Sequence, residues 1–253
     1  MTVISEGLFY LTQLSTGSLI AAIFSITFAL FFIIGRNRSK ATKNMGIAFA
    51  LLSIFHFALF AAFSLYHPYA AYHRCITVIS VMFTQIHIIL FVIQYPDNRN
   101  LTASNYIRIS LYIISFVISL FYIIQSFHST KAFTFDGHFW DIDNKTSNFA
   151  AALTIMFLSL FSIFIVIWRF IQLKNRELFS MLLVTIPFIV GMIIPAILNL
   201  LNRQGLVSRE FFQVTLNTSH IFGFFIMSMV HLNTTRDRFT FMGKIVCVTF
   251  VTF

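Results

Sequence analysis

Long apolar runs separated by short polar breaks dominate the chain. Seven runs approach the roughly 20 residues that an α-helix needs to cross a bilayer: 18–34, 45–66, 75–95, 106–127, 149–173, 178–201 and 211–232. Residues 8–14 can lengthen the first, which is short. Hydrocarbon offers no partner to a free peptide group, so runs of this kind are read as helices. A membrane barrel would show alternation over about ten residues, and these unbroken runs do not. The breaks carry the charges and turn formers: the basic stretch 36–44, Pro68 within 67–74, the polar 96–105, the acidic loop 128–148 and two tight connections at 174–177 and 202–210. The expectation is an all-α integral membrane protein built as a seven-helix transmembrane bundle.

Composition narrows the class further. The 253 residues are 58% hydrophobic, 17% aromatic and only 10% charged, with 34 Phe, against about 25% charged residues in an ordinary soluble domain. Too few charges remain to cover a water-exposed surface, so a soluble enzyme and a disordered chain are both excluded.

The net charge of +9 acquires a topological meaning. With the 36–44 loop in the cytoplasm, twelve of the seventeen Lys and Arg residues fall on that side, and five (Arg74, Lys131, Lys145, Arg203 and Arg209) on the other. The positive-inside rule then places the N-terminus outside. The charge needs no nucleic-acid partner. The expected location is the inner (cytoplasmic) membrane. Residues 1–17 form an extracytoplasmic segment, 18–232 the transmembrane domain, and 233–253 a cytoplasmic linker. That linker ends in an apolar stretch, 239–253, read as an interfacial helix or the start of an eighth span cut short.

Polar groups inside the spans are the candidate chemistry, because such groups are costly in lipid. His56 and His87 lie on the second and third spans. If the hairpin turns near residue 71, residues whose numbers sum to about 142 share a depth. His56 and His87 then face each other as a neutral hydrogen-bonded pair, with Gln85 close by. The sixth span carries Pro187, Gly191, Pro195 and Asn199 at intervals of four, hence on one helix face. Its prolines remove backbone hydrogen bonds and can kink the helix. On the seventh span, Gln213, Asn217 and His220 form one polar stripe, expected to turn toward the sixth. Each group reads first as interhelical glue and second as the lining of a pocket. The two cysteines, Cys75 and Cys247, show no ligand spacing. No Walker A, G-x-S-x-G, H-E-x-x-H or dinucleotide-binding glycine pattern occurs. No catalytic residue, metal site or cofactor is therefore expected.

The sixth span ends in IIPAILNLLNRQG, with Pro195 and Asn199 spaced P-x-x-x-N. Over 18–238, this ending, the seven spans and the short loops resemble the N-terminal seven-helix region of bacterial membrane histidine kinases and related signalling proteins. The resemblance implies an input module joined to a cytoplasmic kinase, nucleotide cyclase or PPM-type phosphatase, whereas this chain carries no output domain after the seventh span. The expected function is thus a membrane-embedded sensor. Its implied partners are the lipid bilayer, a small ligand and a second copy in a homodimer. A small multipass transporter, or a non-catalytic subunit of a membrane complex, is the alternative.

Overall fold

The computed structural model describes residues 2–5, 8–34, 38–96, 101–128, 133–142, 144–173 and 175–234. The apolar runs are helices: α1 (Gln13–Ile33), α2 (Lys40–Ser64), α3 (His73–Gln94), α4 (Leu101–His128), α5 (Lys145–Gln172), α6 (Asn175–Phe188), α7 (Ile194–Arg203) and α8 (Arg209–Thr234). Six segments among the described residues are long and apolar enough to cross a membrane: Gln13–Ile33, Lys40–Ser64, Pro68–Gln94, Ser104–His128, Thr146–Gln172 and Glu177–Asn202. They mark a multipass membrane protein. The 26-residue α8 is as long but less apolar, because Gln213, Asn217, His220, Ser228 and His231 recur along it.

Helix starts follow local chemistry. Thr12 and Ser15 form a reciprocal capping box ahead of α1, with Ser15 N donating to Thr12 Oγ1 at 3.1 Å. Ser39 caps α2 and Asn144 caps α5, their side chains accepting from Thr42 N and Ser147 N, each satisfying an amide that the first turn leaves free.

The N-terminal segment is more structured than the pattern suggests. Helix α1 begins at Gln13, five residues before the expected span. Ahead of it, β1 (Thr2–Ser5) and β2 (Phe9–Leu11) form an antiparallel hairpin. A second hairpin, β3 (Phe133–Phe135) and β4 (Trp140–Ile142), lies in the longest loop. The two hairpins meet through edge-on rings at the end of α2, where Tyr66 contacts both Tyr10 and Phe135.

In the bundle, α1 runs along α2, α2 along α3, and α3 also carries α4 and α5. Helix α3 is the central rod, and every residue from Gln85 to Gln94 is buried. Helix α8 packs on α1 and on the sixth span, whereas α5 meets α6 only sparsely. Phe24, Phe28, Phe32, Phe49 and Phe224 form an aromatic core between α1, α2 and α8. Ile113, Phe116, Leu160, Phe164, Ile186 and Ile197 on α4, α5, α6 and α7 are exposed, as lipid-facing side chains should be.

The sixth span is not one regular helix. A π-helical turn, Ile189–Ile193, joins α6 to α7, between Pro187 and Pro195. Proline cannot donate to the carbonyl four residues back, and a π-turn is one way a helix absorbs such a break. Glycines let α8 approach this turn. A Cβ at Gly223 would stand 2.9 Å from Gly191 Cα, Gly191 N and Pro187 O. The linker and apolar end expected at 233–253 lie outside the described residues from 235 onward.

Candidate functional site

A cavity of about 140 Å³ lies between α3, α5, α7 and α8, toward the end closed by the hairpins. Five of the eight polar candidates line it: Gln85 from α3, Pro195 and Asn199 from α7, and Gln213 and His220 from α8. The π-turn adds Met192, α5 adds Ile155, and α2 adds Phe55 and Leu59. Gln85 donates through Nε2 to Ser159 Oγ at 3.0 Å. Its buried Oε1 has no hydrogen-bond partner among the described residues. A buried acceptor left unpaired is costly.

Arg74 and Arg209 stand at the outer end of this cavity, with their guanidinium groups 5.1 Å from the ring of Phe139. Both are neutralised by the β3–β4 loop. Arg74 Nε donates to Asp141 Oδ1 at 2.8 Å and Nη2 to Oδ2. Arg209 Nη2 lies 3.4 Å from Asp136 Oδ2. Burial alone would raise the Asp141 carboxyl, but the Arg74 guanidinium outweighs it and holds Asp141 below the ordinary carboxylate range. The mouth is thus a pair of closed ion pairs, and the cavity beyond it is lined by neutral polar and apolar groups.

The histidines pair differently from the expectation. His56 Nε2 lies 2.9 Å from His220 Nδ1 on α8, and both rings are buried. His87 instead contacts Asn44 Oδ1 through Nδ1 at 2.9 Å and the Tyr112 hydroxyl through Nε2. The equal-depth argument fails because α2 stops at Ser64. Leu65 turns extended and bridges Phe9, while Tyr66 N donates to Leu8 O at 3.0 Å. The end of α2 and the start of α3, Ser64 and His73, sum to 137 rather than 142. That offset of about five residues amounts to roughly 7 Å along a helix.

The stripe on α8 also faces another way. Gln213 Nε2 reaches Ser18 Oγ at 3.3 Å and Asn217 Oδ1 at 3.2 Å. A Cβ at Gly17 would stand 2.9 Å from Asn217 Nδ2. The stripe therefore turns to α1 and α2, with Gln213 and His220 at the edge of the cavity. The face toward the sixth span is the glycine face, which needs small residues more than polar ones.

A second polar cluster closes the opposite end of the bundle. Asn44 Nδ2 donates to Gln94 Oε1 at 3.0 Å, and Gln94 Nε2 to Ser104 Oγ at 2.7 Å. Thr42 Oγ1 and His231 Nε2 are 2.8 Å apart, and the Tyr95 hydroxyl meets Thr234 Oγ1. Arg169, buried on α5, donates through Nη2 to the Tyr95 carbonyl at 2.7 Å. This cluster ties α2, α3, α4, α5 and α8 together. Sequence reasoning counted Arg169 only as a cytoplasmic charge. The signal was a cation inside the apolar run IVIWRFIQ, since ionisable residues within spans seldom lack a partner.

Among the described residues, no group of three or more His, Cys, Asp or Glu side chains is placed to hold a metal ion. The chain matches no family model, no curated protein and no solved structure.

Proposed function

We propose that this chain is the membrane-embedded input module of a bacterial signalling protein, sensing a small ligand through the cavity between α3, α5, α7 and α8. The observation that carries the reading is the position of that cavity. It abuts the π-turn and Pro195 of the sixth span and the Gln213–His220 face of α8. Helix α8 in turn enters the polar cluster at the far end through His231 and Thr234. A ligand seated there touches both the break in the sixth helix and the rod that leads to the last described residues. Its size follows from the volume: a cavity of about 140 Å³ suits a molecule of roughly benzene's size. Its chemistry follows from the lining: a neutral body with a polar group for Asn199, Gln213 or His220. A ligand shifts two helix arrangements only as far as it binds them differently. The π-turn, held by α8 and little by α5, is the element with room to differ. The expected setting is N-terminus out, seven spans, in the inner membrane, with an output domain acting after α8.

The test joins the full chain to a histidine-kinase catalytic region after residue 253. Autophosphorylation is then compared in membranes for the parent, for Ala196→Phe, which fills the cavity from its α7 wall, and for Asn199→Leu, which removes a polar group from that wall. Either change to the cavity is expected to lock the output, raised or lowered about threefold or more, with insertion unchanged. Equal output from all three, at equal membrane levels, would sink the reading.

A further inference from the structure

The end closed by the hairpins holds a second cavity, of about 240 Å³, separate in its lining from the first except for Leu14's neighbour Phe63 on α2. Its walls are aromatic on one side. Tyr10 from β2 and Tyr66 after α2 stand at 6.1 Å and 88°. Tyr66 and Phe135 from β3 stand at 5.3 Å and 80°. The Tyr66 ring thus stands nearly at right angles to both of the others. Trp140 backs it, 5.9 Å from Tyr66 and 5.4 Å from Phe135.

The other side is acidic. Glu210, at the start of α8, lines the cavity with a half-exposed carboxylate, and His138 Nε2 lies 3.1 Å from its Oε1. No Lys or Arg is among the described lining residues. The neighbouring Arg209 is turned to Asp136 and stacked on Phe139. Ser64, 1% exposed as a residue, lies in the wall between the two sides. Aromatic rings and a carboxylate on facing walls make one chemical demand, a compact cation.

We propose that this cavity binds an organic ammonium ion, through the faces of Tyr10, Tyr66 and Phe135 and the charge of Glu210. The shared chemistry is a quaternary or primary ammonium, supplied as a free amine or as the headgroup of a zwitterionic lipid. Aromatic faces attract such cations through the ring quadrupole, most strongly when water is excluded. The proposal is independent of the sensor reading, because it uses none of the residues that line the deeper cavity's polar wall.

The test titrates choline into the purified full chain in phosphatidylglycerol nanodiscs at pH 8, followed by calorimetry and tryptophan fluorescence. The control is 3,3-dimethylbutan-1-ol, a neutral molecule of the same shape. Choline is expected to saturate the site and to bind about tenfold or more tighter than the alcohol, in line with a partly desolvated cation–aromatic contact. Glu210→Gln, an exposed change that spares the fold, is expected to weaken choline about tenfold and leave the alcohol unchanged. Tyr66→Phe keeps a ring and keeps binding. In phosphatidylcholine nanodiscs, loss of the choline signal identifies the lipid headgroup as occupant, and an unchanged titration identifies a free amine. Equal binding of choline and the alcohol, no saturation in phosphatidylglycerol, or a Glu210→Gln protein as tight as the parent would overturn the proposal.

Discussion

At the scale of single residues, the His56–His220 contact offers the sharpest test of how polar groups are held inside this bundle. Each imidazole is buried, and one nitrogen must donate while the other accepts. His56 Nδ1 already lacks a partner among the described residues, so His220→Leu would strip His56 of its remaining bond. A buried polar group orphaned in this way costs about 1–3 kcal/mol. Removing both rings leaves nothing orphaned, and the net worth of an interhelical hydrogen bond in a membrane is only about 0.6 kcal/mol on average. His56→Leu with His220→Leu is therefore expected to cost clearly less than the sum of the two single changes. The gap is read by reversible unfolding in mixed detergent micelles, as a double-mutant cycle. Strict additivity would mean that the two rings do not depend on each other.

At the scale of elements, the sixth span and α8 show what local pattern can and cannot convey. The four-residue spacing of Pro187, Gly191, Pro195 and Asn199 is visible in the sequence and correctly marks an irregular helix. Which face of α8 meets it is not visible, because a polar stripe and a glycine both call for burial and hydropathy does not say against what. The partner of His56 was hidden for a related reason. The depth of α2 against α3 is set by the Phe9–Leu65 bridge, a contact made by a segment far back in the chain.

The glycine face yields a contrast between two residues that touch each other. A methyl at Gly223 would press on three backbone atoms at 2.9 Å, whereas one at Gly191 meets nothing nearer than Phe224 Cε2 at 3.5 Å. Overpacking against backbone typically costs about 1–3 kcal/mol. Gly223→Ala is thus expected to lower the melting temperature in detergent and to push α8 from the sixth span, while Gly191→Ala is tolerated. Equal tolerance of the two would show that the helices stand farther apart than this packing has them.

At the scale of the whole molecule, hydropathy found the spans because the cost of an unpaired peptide in lipid acts on each helix separately. The sidedness rests on charge. The hairpin-capped end gathers Arg74, Arg209, Asp136 and Asp141 into closed ion pairs, so these two cations are offset where they stand. Lys40, Lys43 and Arg108 belong to the opposite end, the side to which the twelve-to-five split of Lys and Arg along the sequence gives the surplus. Unbalanced cations resist translocation, so the capped end, with both cavities, is expected to face outside. Two cysteines placed in a Cys75→Ser, Cys247→Ser background test this. Leu206 is exposed between α7 and α8 at the capped end, and Thr102 is exposed at the start of α4 at the other. In intact cells, a membrane-impermeant maleimide is expected to label Leu206→Cys and to reach Thr102→Cys only after permeabilisation. The reverse pattern would turn the molecule over. Both cavities would then open toward the cytoplasm, and an input module that reads ligands from outside would no longer fit the charge, the caps or the path through α8.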